Sequence, residues 1–238
     1  MPMIAQILAE RQGLETSVAY ARPTPATEDN IEGLEALADA DLAVFFLRWR
    51  RLPSEQFQNI LDYLHRGRPL VGLRTSTHSF NYPEGHPLAL WNDGFGVRLF
   101  GQKWIRHHGH LSTTRVTVAA GAGGHPVLRG VPLEMQVPSW LYVVDPLVGD
   151  VEPLLIGHAV NPRNGLDYGP QPVAWVKTYN GARVFFTTLG HPDDFRQEGV
   201  RRLLVNGILW ALGRDVPAAG ADVRLPEPYD PPASGLQR

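Results

Sequence analysis

The sequence contains no cysteine among its 238 residues. This absence excludes thiol nucleophiles, disulfides and thiolate metal sites. Histidine, aspartate and glutamate are left as the common metal ligands.

An excess of charge of either sign is also lacking. The chain carries 22 Lys and Arg residues against 24 Asp and Glu residues, which gives a net charge of -2. Binding to nucleic acid or to an anionic membrane usually depends on a basic surface. Neither partner is expected here on grounds of charge.

No long apolar run opens the chain. The first 13 residues, MPMIAQILAERQG, have polar side chains every few positions. They predict neither a signal peptide nor a membrane span, so we expect a cytoplasmic protein whose own start lies at or upstream of Met1.

Three familiar signatures are missing as well. The chain contains no GxxxxGK[ST] phosphate loop, no GxSxG nucleophile elbow and no HExxH zinc motif. The stretch GAGG at 121–124 follows a predicted strand but leads into HPVL rather than into a helix.

What the sequence does contain is a strand–helix–strand block. Residues 41–47, DLAVFFL, are almost continuously apolar, as is typical of a parallel strand covered on both faces. The next apolar residues repeat with helical spacing, at Phe57, Ile60, Leu61 and Leu64. A second buried strand follows at 69–73, and a parallel crossover is the expected connection.

Further elements follow the same α/β pattern. We predict an opening helix, a strand at 15–21, and mostly loop over 81–101. Strands are expected at 112–120, 153–160 and 172–179, and Asn180-Gly181 predicts a hairpin between PVAWVKTY and ARVFFTTL. A helix is expected at 199–213. The fold class is therefore α/β, a mostly parallel sheet with an antiparallel hairpin, in one domain over 1–213 followed by a surface tail over 214–238.

Polar side chains gather where three predicted strands end. These residues are Arg48 and Arg50 after the first strand, Arg74, Thr75, Thr77 and His78 after the second, and His191, Asp193 and Asp194 after the hairpin. In open α/β sheets, ligands bind outside the carboxyl ends of strands, so we expect one site there. The alternative is that each arginine only pairs with a nearby acid or helix end.

A second cluster, WIRHHGH, holds His107, His108 and His110. Because side chains alternate along a strand, His108 and His110 can share a face, and His78 or His191 can complete a zinc site. A divalent metal such as zinc, a metal-free polar site and purely structural histidines all remain open. Aromatic candidates for stacking on a sugar are Trp49, Tyr82, Trp91 and Trp104.

Several stretches together resemble the ThuA-like (trehalose utilisation) family. They are DLAVFFLRWRRLPSEQ, YLHRGRPLVGLRTSTHSF, GQKWIRHHGH, GHPVLRGV, PVAWVKTYNGARVFFTTLGH and RRLLVNGILWALG, and they span most of 41–213. The resemblance implies a flavodoxin-like, three-layer fold similar to the class I glutamine amidotransferases. It also implies a role in using trehalose or related sugars.

The sequence departs from the family's pattern in two respects. It places PLVGLRTST at the elbow where amidotransferases carry a cysteine, so Arg74 or Thr75 takes that place and glutamine hydrolysis through a thioester is excluded. Family members also begin with a strand ahead of the first helix. That first strand is missing here, and with it the family's acidic loop.

The predicted function is a sugar-related enzyme that uses acid–base or metal-assisted chemistry. His78, His108 and Arg74 are the catalytic candidates, and His78, His108 and His110 are the metal candidates. The substrate-binding candidates are Arg48, Arg50, Thr75, Thr77, Trp104 and His191. The rival is a non-catalytic sugar-binding or assembly subunit, and a flavodoxin-like nucleotide site is weaker because its glycine-rich loop is absent. A small sugar is the expected partner; a homo-oligomer is compatible with the sequence.

Overall fold

The computed structural model describes residues 1–108 and 112–231. Its longer helices are α1 Pro2–Gln12, α2 Ser54–His65, α3 Trp91–Phe95 and α4 Glu198–Ala211. Its strands are β1 Tyr20–Ala21, β2 Ile31–Glu32, β3 Ala43–Phe45, β4 Leu70–Leu73, β5 Arg106–His107, β6 Thr114–Val118, β7 Glu134–Val137, β8 Tyr142–Val143, β9 Val151–His158, β10 Gln171–Tyr179 and β11 Ala182–Thr187. Among these helices, none is long and apolar enough to cross a membrane.

A seven-stranded sheet in the order β3-β4-β11-β10-β9-β6-β7 forms the centre of the molecule. One face packs against α1 and α4, and the other packs against α2 and α3. Successive residues of β11 show this division, since Phe185 lies in the first core while Val184 and Phe186 lie in the second. The predicted three-layer α/β fold is confirmed.

The predicted majority of parallel strand pairs is wrong. Only β3–β4 and β4–β11 are parallel, and the other four pairings are antiparallel. The reason lies in the connections: β9, β10 and β11 follow one another without an intervening helix long enough for a parallel crossover.

Local chemistry explains the elements that were predicted best. In α2, the apolar side chains Phe57, Ile60 and Leu64 are buried on one face, and the helix begins directly after Pro53. The hairpin turns at Asn180 and Gly181, whose φ angles of 48° and 78° are those of a type I′ turn.

Other segments differ from expectation. The strand predicted at 15–21 is reduced to β1, which pairs only with β2 outside the main sheet. The loop predicted at 81–101 contains α3, which continues as a π-helical turn over Gly96–Phe100. In the predicted surface tail, Val216, Ala221 and Val223 are buried in the core. At one end of the main sheet, β3 is an edge strand.

Candidate functional site

The loops after β3 and β4 are joined to each other by hydrogen bonds. Trp49 N–H donates to the carbonyl of His78 at 3.0 Å, and the Ser76 hydroxyl donates to the carbonyl of Phe45 at 2.7 Å. These bonds hold Arg48 and Trp49 beside the 3₁₀ turn Arg74–His78 that follows β4. Two of the predicted strand ends therefore form one surface.

Arg74 occupies the elbow itself. Its φ of 40° is in the left-handed region that non-glycine residues rarely adopt, and it comes directly after β4. The side chain is only 7% exposed, and its Nη1 donates to the Ser139 hydroxyl and to the Thr188 carbonyl, both at 3.0 Å. Arg74 rather than Thr75 thus takes the elbow position.

The elbow is anchored from beneath by the carboxylate of Asp194, which the sequence analysis had placed only at a strand end. The carboxylate of Asp194 is fully buried and accepts hydrogen bonds from four donors. They are Ser139 N at 2.9 Å, Ser139 Oγ at 2.5 Å, Gly190 N at 2.8 Å and His191 N at 3.0 Å. Because Ser139 also accepts from Arg74, the third strand end is linked to the elbow through one hydroxyl.

Above this anchor lies a group of aromatic rings, histidine rings and two arginine side chains, here called the rim cluster. It consists of Arg48, Trp49, Arg74, His78, Trp104, His107, Trp140 and Tyr142. His78 lies at its centre, with ring centroids 5.8 Å from Trp49, 5.3 Å from Trp104 and 6.3 Å from Tyr142. The guanidinium of Arg48 lies 3.9 Å from the Trp49 ring, and that of Arg74 lies 4.7 Å from the Tyr142 ring.

Three members of the rim cluster were missed as site candidates by the sequence reasoning. Trp140 and Tyr142 follow Ser139 in a segment without a clear period, and His107 was passed over in favour of His108. His107 pairs with Tyr142 across β5 and β8, and its ring stacks on Trp140 at 5.5 Å. The two adjacent histidines were the signal that the sequence offered for this position. Which of them meets the cluster depends on the pairing of β5 with β8.

The hydrogen bonds of His78 define which ring nitrogen is free. Thr77 Oγ1 lies 3.1 Å from the carbonyl of Arg74 and 3.2 Å from His78 Nδ1. A carbonyl can only accept, so the hydroxyl proton points to Arg74 and the hydroxyl oxygen accepts from Nδ1–H. This assignment leaves the lone pair on Nε2, which has no partner among the described residues and is open to solvent.

His78 is held neutral. Burial, and then the positive charges of Arg48 and Arg74, lower its pKa from 6.5 to about 3. His107 acts in the same direction, and no carboxylate of the described residues opposes these effects.

This low pKa predicts a stability difference at acid pH. The unfolded chain protonates His78 below about pH 6.5 and the folded chain does not, so the contribution is fully present above pH 6.5 and is lost as pH falls toward 3. When the pH falls from 7 to 5, the unsubstituted protein should lose about 1–2 kcal/mol more of its free energy of unfolding than His78→Gln loses. Urea unfolding at both pH values measures this, and equal losses in the two proteins would contradict it.

The remaining binding candidates lie at different distances from the cluster. Thr75 is half-buried beside Arg74, and Thr77 orients His78 as described. His191 lies at the edge, with its ring 6.4 Å from Trp140, and its Nδ1 accepts from Asp193 N. Arg50 is not brought to the cluster, because its guanidinium donates to the carbonyls of Pro25 and Thr27.

Two aromatic candidates belong to the core instead. Tyr82 is buried and donates its hydroxyl to the carbonyl of Leu52 at 2.8 Å. Trp91 packs against Phe57 in the same core. Trp49 and Trp104 are therefore the sugar-stacking candidates that reach the rim cluster.

His108 lies apart from His78, although it was predicted to act with it. The side chain is 1% exposed, contacts the Tyr168 ring at 4.6 Å, and has a pKa lowered by burial and raised in part by Asp167. His110 lies outside the described residues. Within the described part of the chain, no group of three or more His, Asp or Glu side chains is placed to hold a metal ion, and a divalent metal stays a prediction.

Comparison with known proteins identifies the family. The family model for trehalose utilisation, ThuA, matches residues 2–211. A solved ThuA-like protein from Parabacteroides merdae is 18% identical with a TM-score of 0.59, covering 90% of this chain and 85% of that one. Another, from Bacteroides uniformis, is 19% identical with a TM-score of 0.57, covering 76% and 73%. No curated protein matches. With its matching fold and a family match over most of its length, this chain belongs to the ThuA, or trehalose utilisation, family.

Proposed function

We propose that this protein is an enzyme that acts on a sugar or keto-sugar by proton transfer at the rim cluster. The family gives the chain a sugar-related role. The observation that carries the catalytic proposal is the Nε2 atom of His78, an acceptor without a hydrogen-bond partner among the described residues, in a cluster that also holds the guanidinium groups of Arg48 and Arg74. Imidazole is the usual proton-transfer group near neutral pH.

The surroundings of His78 suit a carbonyl substrate. Trp49 and Trp104 offer flat apolar faces to the C–H face of a sugar ring. Arg48 and Arg74 can donate to an oxygen that becomes negative when a proton leaves the neighbouring carbon. The same oxygen would reduce the positive field on His78 and so raise its pKa, which makes the imidazole a better base once substrate is bound.

A non-catalytic sugar-binding subunit is the second candidate. It is favoured by the low pKa of His78 and by the lack of a carboxylate, among the described residues, acting on this ring. A histidine that stays neutral throughout would serve only as a hydrogen-bond acceptor. The expected homo-oligomer would suit an assembly role and stays a prediction.

Deuterium exchange separates the two functions. The purified protein is incubated in D2O with trehalose, glucose and the corresponding keto-sugars, and NMR follows exchange at the carbon next to the carbonyl. We expect exchange with a keto-sugar, and His78→Gln should slow it about 100-fold while binding changes little. His65→Gln, at the exposed end of α2, is the matched control and should exchange normally. Binding without exchange would favour the subunit, and no binding would contradict both.

A further inference from the structure

Two guanidinium groups of the rim cluster keep donors that the protein does not use. All three hydrogen bonds of Arg74 start from Nη1, and they go to Ser139, Trp140 and Thr188. Its Nε and Nη2 have no acceptor among the described residues, and neither is one of the buried side-chain atoms that lack a partner, so both reach solvent from a residue that is only 7% exposed. Both N–H groups are therefore available to water or to a ligand.

Arg48 is unpaired in a different way. It is exposed and forms no hydrogen bond or ion pair with the described residues, and its guanidinium rests on the Trp49 ring at 3.9 Å. Stacking of this kind holds a cation in place while leaving its edge donors free. The neighbouring Arg51, in contrast, pairs with Glu28 at 3.1 Å.

The acids nearest to the cluster are already occupied. Asp194 lies behind Ser139 and is used by its four donors, and Asp193 pairs with Arg196 at 3.0 Å. Arg48 rests on the Trp49 ring and Arg74 lies 4.7 Å from the Tyr142 ring, and both rings lie beside His78, so the two cations belong to one surface. The accessible side of the rim cluster therefore has positive charge without a negative counterpart.

We infer that the rim cluster binds an anionic carbohydrate, with a carboxylate or phosphate group held by Arg48 and Arg74 while the sugar ring stacks on Trp49 or Trp104. Guanidinium groups recognise both anions through paired N–H donors. This inference rests on the proposed sugar function and adds the charge of the substrate. The oxygens of a neutral sugar can accept hydrogen bonds from these donors, but they bring no negative charge to the side of the cluster that carries the two cations.

Calorimetric titration of the whole protein with four probes tests the inference. They are glucose, glucuronate, glucose 6-phosphate and inorganic phosphate, each at low and at high salt. We expect glucuronate or glucose 6-phosphate to bind at least tenfold more tightly than glucose, with the preference reduced at high salt. The stronger of the two anionic sugars identifies the anion as carboxylate or phosphate.

Two variants locate the anion. Arg48→Gln removes an exposed side chain, so it should fold normally, and it should weaken binding of the anionic sugar at least tenfold more than it weakens binding of glucose. Arg51→Gln removes a nearby cation outside the cluster and should retain the preference. In NMR titrations, the bound anion should also move the pKa of His78 upward from about 3.

The outcomes separate this inference from the sugar function. Glucose binding as tightly as the anionic sugars, or full preference in Arg48→Gln, overturns the anionic substrate and leaves the sugar function standing. Phosphate bound through Arg48 with no sugar bound supports the anion site and overturns the sugar function. Absence of binding by all four probes overturns both.

Discussion

Replacing Asp194 by alanine is expected to lower the free energy of unfolding by about 3–5 kcal/mol. The substitution leaves the buried N–H groups of Ser139 and Gly190 and the buried Ser139 hydroxyl without their acceptor, while His191 N–H keeps only Ser139 Oγ. It also removes the carboxylate that orients the Ser139 hydroxyl, which accepts from Arg74.

The neighbouring acid supplies the control. The side chain of Asp193 is 47% exposed, and its ion pair with Arg196 contributes little because solvent screens it, so Asp193→Ala should change stability by less than about 1 kcal/mol. Urea unfolding followed by circular dichroism measures both variants. An Asp194→Ala protein as stable as Asp193→Ala would mean that the carboxylate does not hold this anchor.

The fold could be predicted where periodicity and turn chemistry are local. The apolar spacing of α2 and the Asn180-Gly181 turn each specify their element within a few residues. Strand direction is not local in this way. A near-continuous apolar run such as β10 is compatible with a parallel or an antiparallel neighbour, and only the short connections to β9 and β11 decide it.

The candidate site divides in the same manner. Arg48, Arg74 and His78 could be predicted because each follows a recognisable strand, and strand ends meet at one edge of a sheet. Trp140 and Tyr142 could not, since their position depends on Ser139 being held by Asp194, 55 residues further along the chain. His107 ends β5 and His108 follows it, so their side chains point to opposite sides, and the pairing of β5 with β8 decides which of the two meets the cluster.

The position of the elbow also depends on α3, a helix that the sequence analysis did not predict. Gly94 and Gly96 give the segment 91–100 the composition of a loop, yet α3 and its π-helical turn pass directly behind Thr77. A Cβ on Gly96 would lie 2.4 Å from the carbonyl oxygen of Thr77 and 2.9 Å from that of Gln102. Because both are backbone atoms, neither can turn aside as a flexible side chain would.

Gly96→Ala is therefore expected to lower the free energy of unfolding by about 3 kcal/mol and to displace the turn that carries His78. Gly94→Ala is the matched control, since its Cβ would meet only Arg98 Nε at 3.7 Å, and alanine should stabilise the helix there by about 0.5–1 kcal/mol. Urea unfolding gives the stabilities, and the NMR signal of the His78 ring reports the position of the turn. Equal stabilities in the two variants would show that the helix does not press on Thr77. A His78 signal that shifts in Gly96→Ala and not in Gly94→Ala would show that this helix positions the elbow.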